Sequence, residues 1–221
     1  MNFISLGIHC VVADGIGMTN RRLCSYPFDW LWCPAKTTYN ILERLIAKSP
    51  DLAADFMVTG GGFYDYIRPE YFVSVDHKTM HYMNQTTGLG IVHDSMDDEY
   101  RNKLIRRLVR LLDCVRFGDE TVFIYSDATN SDLNYHLNGV EFGVDATEHL
   151  CDIYDLLSLV NPNITILYFC WASRIKESEK IKHIVFISLK ENVFLRPTSP
   201  AHQQGSINVR EVIRDYLNST Y

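Results

Sequence analysis

The stretch TVFIYS, residues 121–126, is a nearly continuous apolar run that is followed by Asp127. Three further stretches have the same character, namely residues 3–7 (FISLG), 164–170 (ITILYFC) and 183–188 (HIVFIS). Strands without polar alternation are typical of parallel sheets, because both faces of such sheets are covered. The four stretches therefore predict four parallel strands at the centre of the fold.

Amphipathic helices separate these strands and have recognisable ends. The predicted helix over about residues 97–117 carries acidic residues in its first turn. Capping boxes formed by Asp145 with Glu148, and by Asn208 with Glu211, predict two later helices. The alternation of strands and helices predicts a Rossmann-like, doubly wound α/β fold with a mostly parallel sheet of about four to five strands.

Residues 51–93 do not follow this alternation. They contain three consecutive glycines, a possible hairpin formed by YFVSV and TMHYM with a turn at residues 76–78, and a short GIVHD segment. We therefore expect residues 1–221 to form a single α/β domain. Approximately residues 51–93 should form an insertion or subdomain beside the sheet.

The charge balance excludes some classes of partner. The 221 residues include 21 Lys and Arg against 27 Asp and Glu, a formal net charge of -6. This balance disfavours a broad surface for nucleic acid or anionic membrane. No apolar run approaches the roughly 18 residues of a membrane span, and the N-terminus lacks a signal-peptide pattern. We expect a soluble cytoplasmic protein, and the oligomeric state stays open.

The six cysteines include no C-x-x-C pair, which disfavours a zinc ribbon or a thioredoxin-type redox pair. Cys114, Cys151 and Cys170 lie in apolar periodic stretches and are predicted to be buried thiols. His77 and His81 are four residues apart, but in a hairpin their side chains would stand roughly 13 Å apart. Nucleotide-binding glycine motifs are also missing. We therefore expect no metal and no cofactor.

Cys10 is the strongest candidate for a reactive side chain. Gly7 would let the chain turn off the first strand, and Cys10 would begin a helix over residues 10 to about 18. A helix N-terminus lowers the pKa of a thiol and activates it as a nucleophile. A cysteine nucleophile needs a base, and His93, followed by Asp94, could converge on it from a separate segment. The alternative is that Cys10 is a small packed side chain.

Further candidates follow the predicted strands, since ligands of α/β sheets bind beyond the carboxyl ends of the strands. These residues are Ser5, Gly7 and His9 after the first strand, Ser126, Asp127 and Asn130 after the second, and Arg196 in the loop of residues 190–205 after the fourth. That loop is too long for a bare connection, which favours a function in binding. A disordered connection is the alternative.

The segment SYPFDW, residues 25–30, places a carboxylate between aromatic rings. Asp29 could act as a general base or bind a substrate hydroxyl. Tyr26, Phe28 and Trp30 could stack on a sugar or a base. The alternative is a structural corner, with the rings in the core and Asp29 capping the start of a helix.

The helix over about residues 97–117 has a basic face. Its members are Arg101, Lys103, Arg106, Arg107 and Arg110. We interpret this face as solvated, with contact to phosphate or to an acidic partner as the alternative.

Five motifs of the chain resemble a family of bacterial and viral domains of unknown function that are described as papain-like cysteine peptidases. The motifs are SLGIHC (5–10), SYPFDW (25–30), GIVHD (90–94), a helix with Tyr100, Lys103, Arg106, Arg107 and Leu108, and VFIYSD (122–127). The resemblance spans about residues 2–130. It implies that Cys10 is a nucleophile, that His93 is its base, and that Asp94 or a later polar residue orients the base.

Three functions follow as hypotheses. The first is a thiol-dependent hydrolase that uses Cys10, His93 and Asp94. The second is a glycan-processing glycosyltransferase, in which a nucleotide-sugar would bind near a helix N-terminus or Arg196. The third is a non-catalytic binding module with the same pocket. The ligand would accordingly be a small molecule, a peptide or a glycan.

The candidate residues should converge. If the first two predicted strands are parallel neighbours, the loops that follow them open at the same edge of the sheet. We therefore expect residues 7–10, Asp29 and His93 to share one concave site at that edge. Ser126 and Asp127 should form its floor.

Overall fold

The computed structural model describes residues 1–7, 10–29, 31–46, 71–76, 79–83, 90–92, 98–117, 120–126, 146–171, 181, 183–189, 193–194 and 207–221. The helices are α1 (Cys10–Gly17), α2 (Ala35–Ile46), α3 (Asp98–Arg116), α4 (Thr147–Ser158) and α5 (Val209–Thr220). The strands are β1 (Asn2–Ser5), β2 (Leu31–Trp32), β3 (Tyr71–Asp76), β4 (Thr79–Met83), β5 (Gly90–Val92), β6 (Thr121–Ser126), β7 (Ile164–Trp171), β8 (Ile184–Leu189), β9 (Val193–Phe194) and β10 (Ile207–Asn208).

The central sheet contains the four strands that the apolar runs predict. β1, β6, β7 and β8 lie in that order, and all neighbouring pairs are parallel. Ser5 pairs with Ile124, and Ser126 pairs with Phe169. Every residue of β6 is buried, as expected for a strand covered on both faces. The predicted parallel sheet is confirmed.

Helices cover both faces of this sheet. On one face, α1 and α5 pack over Phe3, Val122, Ile124, Leu167 and Phe169. On the other face, α2, α3 and α4 pack over Ile4, Phe123, Tyr125, Ile166 and Tyr168. The α/β fold class is therefore confirmed. Within the parallel sheet, the four strands lie side by side in the order in which they occur in the chain. The Rossmann-like, doubly wound topology stays a prediction.

A second sheet contains the predicted hairpin. β3 and β4 are antiparallel, with Tyr71 opposite Met83, and the sheet order is β2-β5-β4-β3. β2 joins this sheet by pairing with β5, although it lies outside residues 51–93. The division of the chain into one domain with an insertion over about residues 51–93 stays a prediction.

The two capping boxes have different outcomes. Asn208 caps α5 as predicted: its Oδ1 accepts from the Arg210 N–H at 3.1 Å, and its own N–H donates to Glu211 Oε2 at 3.2 Å. The box predicted for α4 is wrong, because the N-cap is Ala146 and makes no side-chain capping hydrogen bond. Ala146 is buried in the core and its N–H donates to the Tyr168 hydroxyl. Core packing therefore positions the start of α4.

The segment after β8 contains two short strands, β9 and β10, that pair with each other. β9 and β10 form a short parallel pair in which Val193 lies opposite Ile207. Most of residues 190–205 lie outside the described residues. Within the described ranges, none of the helices has the length and apolar character needed to cross a membrane.

Candidate functional site

The turn after β1 is tight and requires glycine. Gly7 has a φ of +107°, and its N–H donates to the Oγ of the buried Ser5 at 3.2 Å. A Cβ on Gly7 would lie 2.9 Å from the Cβ of Cys33, which is closer than side-chain carbons pack. Only glycine fits this backbone conformation and this contact. The turn therefore leads the chain from the sheet edge to α1 within a few residues.

Cys10 is the first residue of α1, as the sequence predicts, and its side chain is buried, with 8% exposed. The N–H groups of the first helical turn have no partners within the helix, and the helix dipole places partial positive charge there. This environment favours negative charge on a side chain at the same end. The role of Cys10 as a nucleophile stays a prediction.

Cys33 lies beneath the turn and was not among the predicted site residues. It is fully buried, and burial raises the pKa of its thiol to about 12, with the Thr38 hydroxyl opposing that shift. Thr38 Oγ1 lies 3.2 Å from the sulfur and donates to the carbonyl of Leu6 at 2.9 Å. A neutral thiol at this position packs α2 against the turn. The sequence around Cys33 gives no signal of this contact with the turn.

Asp29 holds the corner formed by SYPFDW. Its side chain is 2% exposed, and its Oδ2 accepts from the Tyr26 N–H at 2.8 Å and from Arg22 Nη2 at 2.7 Å. Burial raises the pKa of Asp29, whereas Arg22, the Tyr26 N–H and Arg107 act in the opposite direction. These contacts match the structural corner that was the alternative interpretation. Its catalytic role stays a proposal.

The two described rings of SYPFDW lie in the core. Tyr26 is 3% exposed and Phe28 is fully buried, and both belong to the cluster that covers the α2, α3 and α4 face of the sheet. Neither ring presents a face to solvent on which a sugar or a base could stack. Their described environment is again that of the structural corner.

One stripe of α3 packs against this corner. Arg110 Nη1 donates to the Ser25 carbonyl at 2.5 Å. Arg107 Nη1 is buried and has no hydrogen-bond partner within the described part of the chain. The expectation of a wholly solvated basic face is therefore wrong at these two positions. Lys103 agrees with the expectation of a solvated face, since its Nζ lies 3.7 Å from the carboxylate of the exposed Glu99.

The cysteines differ in exposure more than the sequence predicts. All six are described as thiols. Cys170 is buried as expected, but Cys114 and Cys151 are partly exposed. Each of these two lies one position beside a buried residue of its helix stripe, Val115 or Leu150, so its side chain sits at the border of the apolar face.

Only some of the predicted site residues at the edge of the sheet belong to the described part of the structure. β1 and β6 are parallel neighbours, so the loops that follow Ser5 and Ser126 open at the same edge. Ser126 is fully buried there. Among the described residues, no three His, Cys, Asp or Glu side chains are grouped as metal ligands. The remaining predicted site residues lie outside the described residues, and they are His9, Trp30, His93, Asp94, Asp127, Asn130 and Arg196.

Comparison with known proteins adds one finding. A family model with the description "Putative papain-like cysteine peptidase" matches residues 1–141. Neither a curated protein nor a solved structure is significantly similar to the chain. The matched region holds Cys10, the Asp29 corner, β5 and β6, and it is more than half of the 221 residues. The chain therefore belongs to the family that is described as "Putative papain-like cysteine peptidase".

Proposed function

We propose that the protein is a thiol-dependent hydrolase in which Cys10 is the nucleophile, His93 is the base, and an aspartate orients His93. The observation that carries the proposal is the position of Cys10 at the first residue of α1, directly after the Gly7 turn. The family to which the chain belongs has a description that names the same chemistry. The substrates would be peptides or other acyl compounds.

The pairing of β2 with β5 supports the approach of His93 to Asp29. The two strands are antiparallel, and Leu31 lies opposite Ile91. Asp29 is two residues before Leu31, and His93 is two residues after Ile91, so both lie beyond the same end of this strand pair in sequence. Asp29 is therefore a candidate to orient His93, beside the Asp94 that follows it.

The other end of β2 supports the approach of this segment to Cys10. Cys33 directly follows β2, and its Cβ and carbonyl lie against Gly7. Gly7 is three residues before Cys10. A continuous set of contacts thus runs from β5 through β2 to the turn that carries the proposed nucleophile.

The chemistry uses these positions in sequence. The Cys10 sulfur attacks a carbonyl carbon, and His93 takes the thiol proton. The N–H groups at the start of α1 are the donors available to the developing oxyanion. His93 then gives its proton to the leaving amine or alcohol as the carbon–heteroatom bond breaks. Water, activated by the same His93, releases the acid from the thioester and restores the thiol.

The test is hydrolysis of p-nitrophenyl acetate and of a fluorogenic peptide library by the purified full chain. We expect Cys10→Ser to lower kcat/KM by about 10^3-fold or more, and His93→Gln by about 10^2 to 10^4-fold. Cys10→Ser should stay folded to within about 1 kcal/mol, since the volume change is small. Cys151→Ser on α4 is the matched control and should keep full activity.

Asp94→Asn and Asp29→Asn separate the two candidate orienters, because the greater loss of kcat should belong to the residue that contacts His93. Activity of Cys10→Ser equal to that of the unmodified chain would contradict the proposal. So would the absence of any hydrolysis above background by the unmodified chain.

A further inference from the structure

A buried tyrosine hydroxyl joins two cysteines that the proposed hydrolase mechanism does not use. The Tyr26 Oη lies 3.1 Å from the Sγ of Cys114, a residue 88 positions later in the chain. The thiol of Cys24, two residues before Tyr26, interacts with the same hydroxyl and, like burial and Cys114, raises its pKa. Both thiols are partly exposed, whereas Tyr26 itself is 3% exposed. Two partly exposed cysteines thus flank one buried tyrosine.

The surrounding contacts fix this arrangement. Arg110 and Cys114 lie four residues apart, and therefore on one face of α3. Arg110 donates to the carbonyl of Ser25, which directly follows Cys24. The same corner is closed on its other side by the ion pair of Arg22 with Asp29. The segment that carries Cys24 is thus attached to the helix that carries Cys114.

The two cysteines are neighbours in the fold. The Cys114 sulfur lies 3.1 Å from the Tyr26 Oη, and Cys24 interacts with the same hydroxyl, so the two thiols share one neighbour. Each can move by a few ångström through rotation about its Cα–Cβ bond, which is a low-energy change between staggered positions. A disulfide then requires the two Cα atoms to lie within about 7 Å of each other.

We infer that Cys24 and Cys114 form a reversible intramolecular disulfide that fastens the SYPFDW corner to α3. The oxidant would be a low-molecular-weight disulfide such as oxidised glutathione. One cysteine thiolate attacks a glutathione sulfur, which breaks the glutathione S–S bond, forms a mixed disulfide and releases one reduced glutathione. The second cysteine thiolate attacks the protein sulfur of that mixed disulfide and releases the second reduced glutathione. Each of the two released glutathione thiolates takes up one of the two protons from the protein thiols.

The disulfide would change the stability of the fold. It closes a long loop of the chain, and long closed loops restrict the unfolded state most strongly. We expect the oxidised chain to unfold several degrees above the reduced chain, and reduced glutathione to reverse this shift. The corner it fastens holds Asp29, so the oxidised form would also hold that part of the proposed site more firmly.

The experiment exposes the folded full chain to defined ratios of oxidised to reduced glutathione, blocks the remaining thiols with iodoacetamide, and maps the peptides by mass spectrometry. The expected result is loss of two hydrogen atoms and a linked peptide pair that contains Cys24 and Cys114. Cys114→Ser should instead leave a stable glutathione adduct on Cys24. Cys151→Ser, which removes another partly exposed thiol, should leave the linked pair unchanged.

Two outcomes would overturn the inference. One is that Cys24 and Cys114 are both alkylated, or both carry glutathione, at every ratio at which the chain remains folded. The other is a linked pair that forms only in denaturant. Because Cys10→Ser leaves both thiols in place, the same mapping on that variant separates this inference from the hydrolase proposal.

Discussion

The Nη2 atom of Arg22 lies 2.7 Å from the Oδ2 atom of Asp29, and this ion pair closes the corner that precedes β2. The carboxylate is almost fully buried, whereas the guanidinium is 20% exposed. The Tyr26 N–H donates to the same oxygen, so the corner is held by one side chain with two donors. Asp29 thus ties Arg22 and Tyr26 together directly before β2.

Asp29 should give the stability of the fold a distinctive pH dependence. Burial raises its pKa above the ordinary value, so the unfolded chain loses this proton at a lower pH than the folded chain. Its contribution is therefore complete below the unfolded pKa of about 4 and declines as the pH rises through the folded pKa. We expect this slope to disappear in Asp29→Asn, which is neutral at every pH.

Urea unfolding of both chains between pH 3 and pH 8 measures this difference. Parallel curves for the two chains would show that Asp29 does not titrate differently on folding. A decline of the unmodified chain relative to Asp29→Asn as the pH falls would show that the donors, rather than burial, dominate the pKa.

Gly7 and Gly17 should respond oppositely to the same substitution. Gly7→Ala forces a Cβ to within 2.9 Å of Cys33 at a φ of +107°, and we expect a loss of about 1–3 kcal/mol in the free energy of unfolding. Gly17 ends α1 and has only the Arg22 Cδ at 3.9 Å, so Gly17→Ala should be neutral or stabilise by a few tenths of a kcal/mol. Equal losses in the two variants, measured by urea unfolding, would refute the steric argument.

The sheet and its flanking helices could be predicted because their signals are local. Continuous apolar runs at residues 121–126 and 164–170 require cover on two faces, and the capping box of Asn208 with Glu211 defines the start of α5 without help from the rest of the chain. The hairpin of β3 with β4 also follows from adjacent residues. These signals do not depend on tertiary contacts.

The packing of α3 on this corner could not be predicted because the partners are distant in the sequence. Arg110 and Cys114 meet Ser25 and Tyr26 across more than 80 residues, and a basic stripe beside an apolar stripe normally faces solvent. The spacing of Arg107, Arg110 and Cys114 on one helical face was the available signal. It identifies a shared face but not the segment that covers it.

The start of α4 was mispredicted for a related reason. Asp145 and Glu148 have the spacing of a capping box, but the N-cap of α4 is Ala146, one residue later, and its N–H donates to the hydroxyl of Tyr168 on β7. A tertiary contact thus fixes where the helix begins.

The thiol of Cys33 should be far less reactive toward alkylating reagents than the thiol of Cys10. Full burial raises the pKa of Cys33 to about 12, so almost no thiolate exists at pH 8 and the side chain has no access to reagents. We expect iodoacetamide to leave Cys33 unmodified in the folded chain at pH 8 and to modify it in urea. Peptide mapping at timed intervals measures both. Modification of Cys33 at the rate of a model thiol in the folded chain would contradict its packing role.

The measurement that tests the central claim most directly is the capture of an acyl-enzyme. The full chain is mixed with p-nitrophenyl acetate, stopped with acid within one turnover, and mapped by mass spectrometry. We expect one acetyl group per chain, on Cys10, formed faster than on a model thiol and absent from Cys10→Ser. A Cys24→Ser variant should acetylate Cys10 normally. Acetylation spread over the exposed thiols at the model rate, with Cys10 unmodified, would contradict the assignment of Cys10 as the nucleophile.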